Sequence, residues 1–116
     1  MKTFIPSFAN LEERQLKGLQ WTVNHAYSGS SAYSEKFDAL NLKPNDIQSL
    51  EDLRLLPFSS AEDLAEGYPF PLLSVPIQDV VRIHTSSGTT GKRKVLCYTQ
   101  KDIEDWIHFF ARCFEM

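Results

Sequence analysis

The feature that most constrains this chain is a run of ten residues, rich in hydroxyl groups, glycine and positive charge, between two β-like segments. It holds five hydroxyl side chains, two glycines and three cations, in the order Thr85-Ser86-Ser87-Gly88-Thr89-Thr90-Gly91-Lys92-Arg93-Lys94. Glycines let backbone N–H groups turn toward one point, hydroxyls add donors of short reach, and lysine supplies a point charge. The run therefore predicts a loop that binds phosphate.

The loop differs from a Walker A motif, which requires Gly-x-x-x-x-Gly-Lys followed by Ser or Thr and opens into a helix. Ser86 stands where the first glycine is required, and Arg93 stands where the hydroxyl is required. Residues 80–84 and 94–98 are rich in β-branched, aliphatic and aromatic side chains, so a strand is expected on each side. Composition alone is also typical of a solvated turn. The spacing of the glycines, the cations and the flanking strands together favour phosphate binding.

Charge and hydropathy narrow the class of protein. The net charge of −3 argues against nucleic acid as a partner. No apolar run approaches the roughly 20 residues that cross a bilayer, and residues 1–7 have too short an apolar run for a secretory signal. A cytoplasmic protein without a membrane partner is expected. Residues 80–99 hold four cations and no carboxylate, which suits a small polyanion such as ATP.

The segment before the loop is predicted to form short helices. The expected caps are Asn10 with Glu13, Ser49 for residues 50–56, and Ser59 with Glu62 for a helix that Gly67 closes. A second amphipathic helix is expected where Tyr33, Phe37 and Leu40 recur at helical spacing. The Tyr68-Pro69-Phe70-Pro71 run cannot be helical, because each proline pushes its predecessor into an extended conformation.

After the second strand, Thr99 with Asp102 predicts the start of the strongest amphipathic helix in the chain. Its apolar stripe consists of Ile103, Trp106, Ile107, Phe110 and Phe114. No glycine or proline stop signal follows before Met116, so the chain is interpreted as cut off. The stripe needs a surface to pack on, and the 116 residues alone are therefore expected to self-associate or aggregate.

Three further residues have two readings each. Cys97 and Cys113 could form a disulfide or bind a metal, but they lack metal-ligand spacing and are expected to be reduced, partly buried thiols. His84 adjoins the loop and is either a contact for substrate or phosphate or, as we favour, a strand residue satisfied by a neighbouring backbone group.

Further motifs accompany the loop. They are Arg82-Ile83-His84 before it, Tyr98-Thr99 with Asp102 after it, and, upstream, Leu50-Glu51-Asp52-Leu53, Leu56-Pro57-Phe58 and Tyr68-Pro69-Phe70. Together with the loop, these residues resemble the adenylate-forming enzymes, which include acyl-CoA synthetases, luciferases and peptide-synthetase adenylation domains. Within that superfamily the chain is most similar to the phenylacetate-CoA ligases, from about Leu11 to the end.

The resemblance implies an α/β fold, which is α+β within this chain. Short helices would precede the strand-loop-strand unit and a long amphipathic helix, as the start of the large N-terminal domain of such an enzyme. Residues 1–78 would form a helical N-terminal region. Residues 79–116 would begin the ATP-binding domain.

The implied reaction has two steps and uses ATP, Mg²⁺ and coenzyme A. A small aryl carboxylic acid attacks the α-phosphate to give an acyl-adenylate and pyrophosphate, and coenzyme A thiol then displaces AMP. The implied phosphate-binding residues are Ser86, Ser87, Gly88, Thr89, Thr90, Gly91 and Lys92, with Thr85 and Lys94 as candidates for secondary contacts. Many relatives have proline after the loop lysine, where this chain has Arg93. Which of the three loop cations meets phosphate is left open.

The resemblance assigns no catalytic residue and no metal ligand to these 116 residues, because the family's lie downstream. The chain alone is thus expected to be inactive, and the full-length protein to be a homodimer. Two alternatives stay open. One is a related adenylyltransferase that acts on a deazaflavin cofactor or in polysaccharide assembly. The other is a non-catalytic module whose Phe110 and Phe114 dock on a second protein.

Overall fold

The structure, a computed structural model, describes residues 10–67, 69–88, 91 and 93–115. Its elements are α1 (Leu11–Gly29), α2 (Ser31–Ala39), the 3-10 helices Pro44–Asp46, Leu50–Leu55 and Ile77–Asp79, β1 (Val80–Thr85), β2 (Val95–Thr99) and α3 (Gln100–Phe114). The predicted class is confirmed: helices precede a strand-loop-strand unit, and a long helix follows it. None of the described helices combines the length and hydropathy needed to span a membrane.

Backbone contacts divide the chain into two compact units, and the division falls between Phe58 and Ser59. The first unit holds α1, α2 and two 3-10 helices, and the second holds both strands and α3. The boundary expected between residues 78 and 79 separates a helical region from a nucleotide-handling one. It stays a prediction, because compactness does not report on function.

The first unit is built around a small apolar core. Its buried members are Val23, Phe37, Leu42 and Ile47. Ile47 is completely buried, and its carbonyl accepts a hydrogen bond of 2.9 Å from Gln20 Nε2. Phe37, from the apolar stripe predicted for the second helix, lies in this core. Leu40, expected on the same apolar stripe, is 55% exposed, because α2 ends at Ala39 and Leu40 already lies in the following turn.

The predicted capping box of the first helix is wrong. Asn10 precedes α1 but makes no hydrogen bond through its side chain. The Glu13 carboxylate instead accepts a bond of 2.6 Å from Lys17 Nζ, one turn along the same helix. The ion pair between positions i and i+4 thus takes the group that the capping box would have used. The predicted cap at Ser49, by contrast, is present, because the Ser49 N–H donates to Asp52 Oδ2 at 2.8 Å.

The helix predicted after Ser59 is also wrong, since residues 61–67 form consecutive turns. The capping contact exists one position later, where the Ser60 N–H donates to Asp63 Oδ2 at 2.6 Å. A segment of seven residues has little helical stability of its own, and nearby Pro69 and Pro71 prevent it from extending. The described part of the predicted extended run, residues 69–71, is not helical; Tyr68 lies outside the described residues.

The start of α3 agrees with its prediction. Thr99 Oγ1 accepts a bond of 3.2 Å from the Asp102 N–H, and Asp102 Oδ2 accepts one of 2.8 Å from the Thr99 N–H. This reciprocal cap begins the helix directly at the end of β2. It thereby ties α3 to the strand that leaves the loop.

Candidate phosphate-binding loop

The loop is held between two antiparallel strands. The register pairs Val80 with Thr99 and Thr85 with Val95, with an irregularity between Val80 and Arg82 that increases local twist. Val95 is buried and anchors the second strand where the loop ends. The predicted strands on both sides of the hydroxyl-rich run are therefore confirmed, and they bring residues 85 and 95 face to face.

Two reciprocal hydrogen bonds close the base of the loop. The Ser86 N–H donates to the Lys94 carbonyl oxygen at 3.0 Å, and the Lys94 N–H donates to Ser86 Oγ at 3.0 Å. The Ser86 hydroxyl oxygen therefore fixes the width of the loop, and its proton is left for another acceptor. The positive charge of Lys94 also contributes to the lowered pKa of Glu62, after the larger effect of the Ser60 side chain.

Both loop glycines adopt backbone conformations that other residues avoid. Gly88 has φ of +71° and Gly91 has φ of +141°, and the Gly91 N–H donates to the Gly88 carbonyl at 3.4 Å. Such conformations turn successive peptide groups in a way that L-residues with a β-carbon do not. The bend has the backbone character expected of an anion cradle.

The two glycines differ in their surroundings. A β-carbon at position 88 would lie 2.8 Å from Arg93 Cγ and 3.3 Å from the Gly91 carbonyl oxygen, whereas one at position 91 would have no atom within 4 Å. Substitution at either position strains the backbone. Only substitution at position 88 also collides with a side chain.

We expect Gly88→Ala and Gly91→Ala each to destabilise the chain by about 1–2 kcal/mol, because a β-carbon is disfavoured at positive φ. Arg93→Ala removes the atom that a β-carbon at position 88 would meet. In double-mutant cycles of denaturant unfolding, Arg93→Ala should recover part of the loss in the Gly88→Ala background and none in the Gly91→Ala background. Strict additivity in both cycles would contradict the observed packing of Arg93.

The remaining predicted contacts surround this bend. Thr85 is the last residue of β1 and is exposed, as is Ser87, while Lys94 is half-buried at the base of the loop. Thr89, Thr90 and Lys92 lie outside the described residues. The assignment of phosphate contacts to all of these residues stays a prediction.

Behind the loop lies an aromatic cluster that the sequence patterns did not reveal. The His84 ring centroid lies 5.0 Å from that of Tyr98 and 6.2 Å from that of Trp106, and Tyr98 stacks on Trp106 at 6.0 Å. His84 thus packs against aromatic rings of β2 and α3. Strand register could have indicated the contact with Tyr98, but the contact with Trp106 depends on how α3 packs against β2.

The two cysteines differ in their exposure to solvent. Burial raises the pKa of the half-buried Cys97 thiol, so it stays protonated. Cys113 is exposed, which corrects the expectation that it is partly buried; it lies on α3, of which no residue is buried.

Among the described residues, no group of three or more His, Cys, Asp or Glu side chains could hold a metal ion.

Solved structures define the class of fold. The chain matches 2-hydroxyisobutyryl-CoA ligase in its postadenylation state with a TM-score of 0.73 at 23% identity, over 84% of this chain and 21% of that one. A second structure of the same ligase, with 2-HIB-AMP and CoA, matches with a TM-score of 0.71 at 24% identity, covering 84% and 22%. The chain therefore has the fold of the matching part of 2-hydroxyisobutyryl-CoA ligase.

Curated relatives match the chain at higher sequence identity than the solved structures do. The chain is 46% identical to the phenylacetate-coenzyme A ligase of Escherichia coli over 91% of its own length and 24% of that protein. It is also 46% identical to the phenylacetate-coenzyme A ligase of Aromatoleum evansii, over 88% and 23%. No family model matches. The resemblance to phenylacetate-coenzyme A ligases is thus confirmed at the level of sequence, and the chain spans about a quarter of the curated relatives.

Proposed function

We propose that this chain supplies the phosphate-binding part of an ATP-dependent ligase that joins an aryl carboxylic acid, with phenylacetate as the default substrate, to coenzyme A. The observation that carries the proposal is the bend between β1 and β2, with two glycines at positive φ and a base closed by Ser86 and Lys94. Its support from sequence is the 46% identity to phenylacetate-coenzyme A ligases.

The loop would hold the departing pyrophosphate during adenylation. Backbone N–H groups of residues 87–91, the hydroxyls of Ser86, Thr89 and Thr90, and the Lys92 ammonium are the proposed donors. Negative charge grows on the leaving group as the acid attacks the α-phosphate. Donors held in place for that charge lower the barrier, whereas donors that bind substrate and transition state equally only tighten binding.

Mg²⁺, the carboxylic acid and coenzyme A are the remaining components of the proposed reaction. We assign no Mg²⁺ ligand to this chain, as the resemblance to phenylacetate-CoA ligases implies. Mg²⁺ would neutralise phosphate charge during adenylation. We assign the acid and coenzyme A to residues other than the loop, and we propose a cytoplasmic homodimer as the working form. Neither nucleic acid nor a membrane is proposed as a partner.

A chimera tests the proposal directly. The 116-residue chain would replace the matching segment of the Escherichia coli phenylacetate-coenzyme A ligase. We expect the chimera to release pyrophosphate from ATP in response to phenylacetate, and to form the thioester when coenzyme A is added. A panel of other carboxylic acids then defines how far this segment influences substrate choice.

The matched control is the same chimera with Gly88 and Gly91 both replaced by valine, which retains the length but not the bend. A folded chimera that releases no pyrophosphate with any acid would refute the proposal. Equal activity of the chimera and the valine control would refute the role of the loop.

A further inference from the structure

Arg93 occupies an unusual position within the loop. A β-carbon at position 88 would lie 2.8 Å from Arg93 Cγ and 3.7 Å from Arg93 Nε. The aliphatic part of the arginine therefore runs across the α-carbon of Gly88, in the space that any other residue would fill. This packing brings the guanidinium close to Gly88, although the two residues are separated by five positions in sequence.

The Arg93 guanidinium has no polar partner among the described residues. It forms no hydrogen bond or ion pair with any of them and is exposed to solvent. No carboxylate occurs from residue 80 to residue 99, so no neighbour in sequence neutralises it. Lys94, by contrast, is half-buried, is bound to Ser86 through both backbone groups, and acts electrostatically on Glu62.

The chemistry of the side chain indicates the ligand. Arginine presents five N–H donors in a planar fork that matches two phosphate oxygens, whereas lysine offers a point charge. The stem is held over Gly88, so fewer rotamers are lost when the fork binds. The described backbone nearest to the fork is that of Gly88, whose carbonyl oxygen accepts a hydrogen bond from the Gly91 N–H.

We propose that Arg93 is a phosphate-binding residue of this loop, with its guanidinium directed at the pyrophosphate portion of the nucleotide and its stem held in place by Gly88. This inference rests on the proposed function, because it concerns the same site. It selects Arg93 among the three loop cations, which the sequence leaves open, and gives a reason for glycine at position 88 beyond backbone conformation. Binding of pyrophosphate should then depend on Arg93, and binding of AMP should not.

The test is a titration of the ¹⁵N-labelled 116-residue chain, carrying Ile107→Gln and Phe114→Gln to prevent association through α3, with inorganic pyrophosphate and, separately, with AMP. We expect pyrophosphate to shift the Gly88 and Gly91 amide signals and the Arg93 Nε–H signal. Arg93→Ala should weaken pyrophosphate binding roughly tenfold, as for the loss of one charged hydrogen bond, and leave AMP binding unchanged. Arg93→Lys keeps the charge and loses the fork. Its affinity for pyrophosphate should therefore lie between those of the unaltered chain and Arg93→Ala. The spectra also report whether each variant is folded.

Arg112→Ala is the matched control, because it removes an arginine charge from exposed α3. It should bind pyrophosphate as the unaltered chain does. Equal affinity of Arg93→Ala and the unaltered chain would overturn the role of Arg93 and leave the proposed function intact. Equal losses in Arg93→Ala and Arg112→Ala would overturn it in favour of a general effect of charge. If the unaltered chain binds no pyrophosphate, the inference fails, and the activity of the chimera then decides separately on the proposed function.

Discussion

Replacing Lys92 by alanine in the chimera is expected to lower the rate of adenylation at saturating acid and ATP by about 10²–10³-fold, the usual cost of losing one donor to transition-state charge. The charge on pyrophosphate is larger in the transition state than in bound ATP. The loss should therefore appear mainly in kcat, with a smaller change in KM for ATP. Pyrophosphate release that depends on the acid is the measurement.

Lys94→Ala is the informative comparison for Lys92, since both changes remove one lysine from the same loop. Lys94 binds Ser86 through its backbone, which alanine preserves, so its substitution should cost far less. An unchanged rate with Lys92→Ala together with a collapse with Lys94→Ala would move the role to Lys94. A third variant, Arg54→Ala in the first compact unit, controls for the loss of a positive charge elsewhere.

The 116-residue chain is expected to self-associate through the apolar face of α3. No residue of α3 is buried, and the exposed fractions are 64% for Ile107, 52% for Phe110 and 87% for Phe114. Burying one large apolar side chain is worth about 1.5–3 kcal/mol, so these residues gain several kcal/mol by meeting a second apolar surface. Sedimentation velocity at increasing concentration should show species larger than a monomer.

Two substitutions on that face should reverse the association. Ile107→Gln with Phe114→Gln retains helix-forming side chains and removes the apolar contact, so the variant should sediment as a monomer. Glu104→Gln changes an exposed polar position of the same helix and should leave association unchanged. A compact monomer that melts cooperatively without any substitution would be the contrary result.

Local chemistry explains which elements could be predicted. β1 and β2 are short runs of β-branched and aromatic residues around a glycine-rich bend, and Thr99 and Asp102 form a cap within four consecutive residues. Their interactions are close in sequence, so the pattern contains most of the information. The predicted helix at residues 59–67 failed because the same capping residues also stabilise turns, and the pattern does not decide between them.

By itself, the sequence determined the strand-loop-strand unit, the glycine positions of the bend, the start of α3 and the likeness to phenylacetate-coenzyme A ligases. Only the tertiary structure decided that His84 meets Trp106, and that Arg93 rather than solvent fills the space above Gly88. The physical reason is the range of the interactions involved. Backbone turns and caps depend on residues a few positions apart, whereas contacts between side chains depend on how a bend or a helix packs once all of it has formed.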